Sequence, residues 1–260
     1  MSPEDRNLDA DAHRRQGWVR FANRPVPNFC IRFAVMVVGL SLIGLGIALG
    51  KFSAIGTSPI SCIPAVIFDF LRLNSVTVVS LGMLTFGINA LFLVLEIALL
   101  RRDFNPVQLL QLLALVVMTA SIDVWLGLLE ATFVLFSYPM QLLFAVLSFV
   151  VQALGVFLEV RANVLMVPGE GIVKVVSHVF RKQFKNCKTA FDTSLIAIAA
   201  VLSIVLMGRL SGVREGSVMS AVFTGQCVGA WGGLLKGIDL VMPPAKPIFP
   251  PIVPDGSTRE

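Results

Sequence analysis

Two residues of opposite charge stand in an otherwise apolar stretch of the second half of the chain. Glu170 and Lys174 follow the start of the motif Pro168-Gly169-Glu170-Gly171, and a spacing of four residues places them on one face of a helix, where they can pair. Charges at membrane depth are costly and are functional candidates by default. A ligand ammonium group would meet Glu170, and a carboxylate or phosphate would meet Lys174. The alternative is a neutralised structural pair in a water-filled vestibule.

A second polar group surrounds a proline in the first half of the chain. Thr57, Ser58 and Ser61 supply hydroxyl groups around Pro59, at the start of a short predicted helix. The first N–H groups of a helix lack partners within the helix and favour negative charge. Hydroxyls beside such donors suit an anion or a zwitterion, so we expect these four residues to bind a ligand. Simple capping of the helix, which needs only one hydroxyl, is the alternative.

Further polar side chains interrupt the apolar runs. Asp123 is the most isolated acid, and we expect it either to bind a coupling proton or sodium ion or to pair with an arginine. Asn89 is a second coupling candidate, although amides inside membrane spans more often join helices by hydrogen bonds. His178 fits an interfacial residue. Glu159 and Arg161 flank the second break and fit a membrane boundary.

The sequence contains none of the common catalytic motifs. It has no GxSxG, HExxH or Walker motif, and its only histidines are His13 and His178. We therefore expect neither an enzyme nor an ATPase, and no cofactor or metal. The cysteines lack CxxC spacing, which favours buried thiols over disulfides or a zinc site; they are Cys30, Cys62, Cys187 and Cys227.

The composition indicates a multi-pass membrane protein. Of 260 residues, 56 % are hydrophobic and 14 % are charged, and the mean hydropathy is +0.83. Soluble domains of this size rarely reach such values. The net charge of +5 is concentrated at the N-terminus and in short loops, as expected beside anionic lipid. No interleaved basic and aromatic pattern points to nucleic acid.

A segment of the first half of the chain is repeated in the second half. Residues 44–70 return as residues 153–180, with Pro59 matching Pro168 at an offset of 109 residues. In each copy a long apolar run is followed by a break with Gly or Pro and then by an apolar segment of about twelve residues, which rises only about 18 Å against a hydrocarbon core of about 30 Å. Paired interrupted segments indicate a transporter site. A kink that only lets two helices pack is the alternative.

The short segments decide the topology. If they re-enter, each repeat crosses the membrane three times and the repeats are inverted; if they span, each crosses four times and the repeats are parallel. Re-entry is favoured by the positive-inside rule, because it places Arg101, Arg102 and Arg161 inside and Arg72 outside, whereas spanning segments do the reverse. Both topologies place the loop 181–188 inside and Arg209 and Arg214 outside. The predicted spans are 33–50, 76–100, 107–129, 140–158, 190–207 and 216–235, with short segments 59–71 and 168–180.

The predicted fold is an all-α membrane protein of two tandem, inverted-topology repeats, each with three transmembrane helices and one re-entrant half-helix. Trp125 of the first repeat matches Trp231 of the second at an offset of 106 residues. The predicted regions are a cytoplasmic tail 1–30, a first repeat 31–130, a second repeat 139–236 and a proline-rich tail 243–260.

Three motifs carry a resemblance to a known family. They are Gly-Thr-Ser-Pro at 56–59, Pro-Gly-Glu-Gly at 168–171, and the glycine-containing stretch 212–229. Through these motifs the chain resembles the YitT/YczE/YyaS group of bacterial integral membrane proteins over roughly 33–235. The resemblance implies a bacterial membrane protein of the transporter type, without a defined substrate.

We predict a secondary transporter, coupled to ions or protons, that binds a small polar or anionic metabolite between the two half-helices. The alternatives are a substrate-binding membrane subunit of a multi-chain uptake complex and a structural or regulatory membrane protein. The expected partners are the lipid bilayer, a small-molecule substrate and a second copy in a homodimer, but no nucleic acid. The expected location is the bacterial cytoplasmic membrane, with both termini in the cytoplasm. The predicted site residues are Thr57, Ser58, Pro59, Ser61, Pro168, Gly169, Glu170, Gly171 and Lys174.

Overall fold

The computed structural model describes residues 29–101, 106–134, 137–182 and 184–235. All but the last two residues of the predicted tail 1–30, the whole of the tail 243–260, and Arg102 lie outside the described residues.

The described chain is built from eight α-helices and contains no strand, which confirms the all-α class. A short 3-10 segment, Pro106–Leu110, leads into the fourth helix. The helices are α1 (Phe29–Phe52), α2 (Pro59–Leu73), α3 (Leu81–Leu100), α4 (Gln111–Thr132), α5 (Tyr138–Ala162), α6 (Pro168–Val179), α7 (Phe184–Met207) and α8 (Glu215–Leu234).

Helix length and composition agree with a multi-pass membrane protein. Helices α2 and α6 have 15 and 12 residues, so they rise only about 22 Å and about 18 Å, short of the hydrocarbon core. Helix α8 has 20 residues but is not among the segments apolar enough to cross a membrane, so the expected sixth span stays a prediction. Five segments are long and apolar enough to cross a membrane: Phe29–Phe52, Leu81–Leu100, Gln108–Thr132, Tyr138–Ala162 and Asn186–Met207.

Local sequence explains where the helices begin and end. Pro59 and Pro168 occupy the first positions of α2 and α6, where a missing N–H has no cost and the fixed φ suits a helix. Helix α5 ends at Asn163, which adopts the left-handed conformation at φ 51°. Helix α3 begins later than predicted because the Ser80 hydroxyl accepts a hydrogen bond from the Met83 N–H and caps it.

Helices α1 and α5 cross in direct backbone contact. A Cβ atom added to Gly155 would lie 2.6 Å from the carbonyl oxygen of Gly39 and 2.7 Å from the backbone nitrogen of Ile43. A Cβ on Gly46 would lie 2.8 Å from the carbonyl oxygen of Ser148. Small residues allow this close approach between membrane helices. Gly46 and Gly155 match each other at the 109-residue offset, so equivalent residues of the two halves form the crossing.

The two matching tryptophans make equivalent contacts. Trp125 of α4 donates from Nε1 to the hydroxyl of Ser41 in α1 at 3.3 Å, and Trp231 of α8 donates to the carbonyl oxygen of Val150 in α5 at 3.1 Å. Ser41 and Val150 are themselves 109 residues apart. Helix α4 therefore packs on α1 as α8 packs on α5.

Two ion pairs show where α2 ends. Lys51, in the last turn of α1, pairs with Asp69 near the end of α2. Arg72, one turn further along α2, donates two hydrogen bonds of 3.1 Å to Glu130 near the end of α4. Helix α2 therefore returns to the end of the bundle at which α1 and α4 also end. We call it the Lys51 end.

The opposite end of the bundle is formed by the start of α1 and the end of α5. Arg32 donates there from Nη1 to the carbonyl oxygen of Ala162 at 3.3 Å, and we call it the Arg32 end. Helix α3 runs antiparallel to α4 and finishes at the Arg32 end, where Leu100 packs against Val175 of α6. Helix α6 therefore runs from the interior to the Arg32 end, as α2 runs from the interior to the Lys51 end.

We expect Gly155→Leu to destabilise the protein strongly, because the atoms that its Cβ would meet are backbone atoms of α1 and overpacking costs about 1–3 kcal/mol even where side chains can adjust. Gly127→Leu is the matched control, since a Cβ on Gly127 in α4 has no atom within 4 Å. Thermal unfolding of both variants in detergent checks this. Equal unfolding temperatures would contradict the backbone crossing.

Candidate functional site

A small cavity lined by both polar and apolar residues lies inside the bundle, where the first turns of α2 and α6 meet. Its volume is about 40 Å³, which is room for a few water molecules or a small ion. Helices α1, α3, α4 and α5 complete its wall. The lining residues are Ile43, Ile47, Ser58, Ile60, Ser61, Thr85, Asn89, Met118, Gln152, Val156, Glu159, Val167, Gly169 and Glu170.

The start of α6 is held by two polar side chains from other helices. Glu159 Oε1 accepts a hydrogen bond from the Val167 N–H at 2.9 Å, and Asn89 Oδ1 accepts one from the Gly169 N–H at 3.1 Å. Asn89 is oriented by its own amide, which donates to the Thr85 carbonyl oxygen at 2.9 Å. Glu159 and Asn89 thus satisfy backbone donors that a helix start inside the protein leaves without partners.

The two half-helix starts are close neighbours across the cavity. A Cβ on Gly169 would lie 3.0 Å from Asn89 Oδ1 and 3.0 Å from Cδ1 of Ile60 in α2. A larger residue at position 169 would therefore push α6 away from both α3 and α2. The Gly of the Pro168-Gly169-Glu170-Gly171 motif allows this contact.

The start of α2 leaves hydroxyl groups unused. Ser58 is the residue before the helix, but its side chain makes no capping hydrogen bond. The hydroxyls of Ser58 and Ser61 are both buried, and neither has a hydrogen-bond partner. Thr57 donates to the Ile47 carbonyl oxygen at 3.5 Å. The structure therefore contradicts simple capping as the role of Ser58, and it leaves two hydroxyls in the wall of the cavity.

The charged groups in the cavity wall are acidic. Glu159 is 3 % exposed, and its second oxygen, Oε2, has no hydrogen-bond partner. Glu170 is half-buried in the same wall. Lys174, one turn further along α6, is exposed and does not line the cavity, and none of the described ion pairs joins it to Glu170. It lies close enough to interact electrostatically with both Glu159 and Glu170. The predicted Glu170–Lys174 ion pair is not formed, and the wall suits a positively charged or hydrogen-bond-donating group.

The two half-helices differ in how far they are covered. At the 109-residue offset, Ser61 matches Glu170 and Ala65 matches Lys174. Ser61 and Ala65 are fully buried, whereas Glu170 is half-buried and Lys174 is exposed. The face of α2 from the cavity to the Lys51 end is therefore closed, and the equivalent face of α6, towards the Arg32 end, is open.

Two predicted candidates lie away from the cavity. Asp123 Oδ2 accepts a hydrogen bond from the Ser80 hydroxyl at 2.6 Å, and its Oδ1 accepts one from the Gly82 N–H at 2.7 Å. Both oxygens thus anchor the start of α3, which is a structural role and neither the arginine pair nor the open ion site expected from the sequence. His178 is exposed near the end of α6, as expected of an interfacial residue.

The sequence interpretation missed Glu159. It was assigned to a membrane boundary with Arg161, but it is buried and contacts the second break. At the 109-residue offset Glu159 matches Gly50, so the repeat gave no indication of a site there. The sequence does show an acid eight residues before Val167. Its side chain can contact the break only if the helix ends and the chain turns back between them.

All four cysteines are free thiols, as predicted, but only one of them is buried. Cys62 is buried, and its thiol donates a hydrogen bond to the Ser217 hydroxyl oxygen in α8, with an Sγ–Oγ distance of 3.4 Å. Cys30 is exposed, and Cys187 and Cys227 are partly exposed. In the described parts of the chain, no three His, Cys, Asp or Glu residues are grouped as metal ligands.

We expect Asn89→Leu to destabilise the protein by roughly 1–3 kcal/mol, because it leaves the buried Gly169 N–H without an acceptor. Asn74→Ala is the control: Asn74 donates to the Phe70 carbonyl oxygen at 2.8 Å, but on an exposed surface, where water can replace the bond. Thermal unfolding of the two variants distinguishes them. A loss for Asn74→Ala as large as for Asn89→Leu would contradict the assigned role.

Comparison with known protein families places both halves of the chain in one unit. A family described as a family of unknown function, DUF6198, matches residues 30–232, from the second residue of α1 to the last turn of α8. No curated protein and no solved structure matches the chain. The match does not test the resemblance to the YitT/YczE/YyaS group, which stays a prediction. The chain belongs to the DUF6198 family.

Proposed function

We propose that this protein is a secondary transporter for a small amine or zwitterion, whose ammonium group enters the cavity between α2 and α6. The observation that supports it most is the wall of that cavity, where two buried serine hydroxyls and one glutamate oxygen have no partner in the protein. Polar groups are rarely left unpaired in an apolar interior. A polar ligand or water between the half-helices would supply the missing partners.

We further propose that the fold consists of two inverted repeats. Three observations support it: the matched glycines at the α1–α5 crossing, the equivalent tryptophan contacts, and the opposite directions in which α2 and α6 leave the interior. Transporters built from inverted repeats bind substrate at broken helices near the membrane midplane. This arrangement gives six full crossings, with α8 as the sixth.

The charge of the cavity decides the class of ligand that we propose. Glu159 and Glu170 line it, and no basic side chain of the described residues does. An anion there would meet carboxylates at low dielectric, where like charges repel strongly. The sequence alone favoured a polar or anionic solute; the lining favours an ammonium group held by Glu170 and Glu159, with a polar or carboxylate end towards the Ser58 and Ser61 hydroxyls.

The difference between the two half-helices supports alternating access. The Lys51 end is closed by the ion pair of Lys51 with Asp69 and by the Ser211 hydroxyl, which donates to Asp69 at 2.7 Å. The equivalent of Asp69 at the Arg32 end is His178, which is exposed. We propose that this is one of two states, closed at the Lys51 end, and that the other state covers α6 and uncovers α2.

We propose a bacterial cytoplasmic membrane with the Arg32 end in the cytoplasm. Basic residues at the Lys51 end are mostly paired with acids, as in Lys51–Asp69, Arg72–Glu130 and Arg214–Glu215. The Arg32 end carries the larger number of basic side chains, which the positive-inside rule places in the cytoplasm. The residues concerned are Arg32, Arg101, Arg161, Arg181, Lys182 and Lys188.

A membrane subunit of a larger assembly is the second candidate function, and a homodimer is its simplest form. Helix α8 carries Gly225, Gly229 and Gly233, at intervals of four residues, and a Cβ on any of them would have no atom within 4 Å. Such a row lets another membrane helix approach closely. Copurification of a second chain, lost on Gly229→Leu, would favour this candidate.

The transporter proposal predicts that amines and amino acids, but not organic acids, phosphate or sulfonates, raise the unfolding temperature of the purified protein. A ligand at about 100 times its Kd stabilises by about 2.7 kcal/mol. We expect Glu170→Gln to abolish the shift while the protein without ligand keeps its stability. Glu215→Gln is the control, because Glu215 is an exposed acid in an ion pair with Arg214 outside the cavity.

Stabilisation by organic acids alone would contradict the proposed charge of the ligand. A ligand shift that persists in Glu170→Gln but disappears in Glu215→Gln would contradict its location. If no compound of either class has an effect, the assembly subunit becomes the better candidate.

A further inference from the structure

A second buried acid lies apart from the cavity, in α3. Glu96 is fully buried, and no hydrogen bond of good geometry reaches either carboxyl oxygen, although the Gln111 side chain lies within hydrogen-bonding range. It follows Asn89 by seven residues, which places both on one face of α3, about 10 Å apart along the helix axis. Glu96 therefore lies between the cavity wall and the Arg32 end.

The surroundings of Glu96 are amide side chains, which can both donate and accept hydrogen bonds, and apolar groups. The Gln111 side chain of α4 lies beside it, and the Gln111 carbonyl oxygen, Oε1, is also buried without a partner. Gln108, one turn earlier, is buried as well. On the α6 side, Val175 and Leu100 form an apolar contact at the same end. No described Lys, Arg or His forms an ion pair with Glu96.

A proton on Glu96 resolves this arrangement. An ionised carboxylate only accepts hydrogen bonds, and burying it unpaired costs several kcal/mol. A protonated carboxyl is neutral, and its O–H can donate a hydrogen bond to Gln111 Oε1. One proton thus removes the buried charge of Glu96 and gives Gln111 Oε1 a donor. Asp123 is the contrast, because both of its oxygens accept hydrogen bonds from Ser80 and Gly82.

We propose that Glu96 is a proton-binding site, occupied in this state, that exchanges its proton with water at the Arg32 end. Its ionisation releases one proton to that water and leaves a carboxylate, which is tolerated only when the end of α3 becomes hydrated. Leu100, the last residue of α3, is four residues further on, about 6 Å along the helix, so the path is short. The coupling of this proton to solute movement rests on the proposed transporter function; the proton site does not.

Infrared spectroscopy of the full chain in lipid nanodiscs tests the site without any ligand. At pH about 7 exposed carboxyls are ionised, so the C=O stretch of protonated carboxylic acids reports buried acids only. We expect Glu96→Gln to remove the intensity of one carboxyl from that band, and the wild-type band to exchange in D₂O and to decline as the pH rises. Glu130→Gln, at the exposed Lys51 end, should leave the band unchanged.

Glu96→Asp keeps a carboxyl and serves as a second variant in case Glu96→Gln fails to fold. We expect Glu96→Asp to retain the acid band at a shifted frequency. An unchanged band in Glu96→Gln would overturn the proposal, as would a Glu96 band that neither exchanges in D₂O nor responds to pH. If no carboxylic acid band is seen, and sodium stabilises the wild type but not Glu96→Gln, the site binds sodium and the proton proposal is overturned. If no amine stabilises the protein but the Glu96 band responds to pH, the transporter proposal is rejected and the proton site stands.

Discussion

Two helices of this protein begin in its interior, and the polar backbone groups of their first turns must be satisfied there. For α6 the solution is complete, because Glu159 and Asn89 accept hydrogen bonds from the Val167 and Gly169 N–H groups. At the start of α2, Pro59 has no N–H and the Ser61 N–H donates to the Ser58 carbonyl oxygen, but the buried Ser58 and Ser61 hydroxyls have no partner. Irregular backbone at membrane depth is tolerated only against protein or a polar cavity. The cavity is therefore a consequence of the two interior helix starts, and its unused hydroxyls make it a candidate binding site.

The crossing of α1 and α5 makes this geometry possible. The backbone contact at Gly155 brings together the two helices that precede the breaks, so the half-helices that follow start on either side of one point. The halves then differ in state: α2 is covered and tied by Lys51 and Asp69, while the matching face of α6 is open. This difference in packing is the observation on which the proposed alternating access rests.

Much of this fold could be predicted from the sequence, and less of the site. The all-α class and the short helices after Pro59 and Pro168 followed from composition, helix length and internal repetition. Glu159 was missed because its role depends on how the chain turns after Asn163, which no local pattern specifies. Asp123 was expected to bind an ion because spacing does not reveal that α3 begins beside it. The acidic lining of the cavity likewise depends on how far the cavity extends along α6, because it includes Glu170 but not Lys174 one turn beyond.

The shared cavity depends on the return of α2 to the Lys51 end. The most direct test is to determine from which side of the membrane cysteines before and after α2 are labelled. Ala54, before α2, and Asn74, after it, are both exposed. Each is replaced in turn by a single cysteine, in a chain whose native cysteines have been removed. In cells, a membrane-impermeant maleimide should label both positions from one side of the membrane, and a cysteine at Phe180, after α6, only from the other. Labelling of the Ala54 and Asn74 positions from opposite sides would show that α2 spans the membrane, and would contradict the shared cavity of two half-helices.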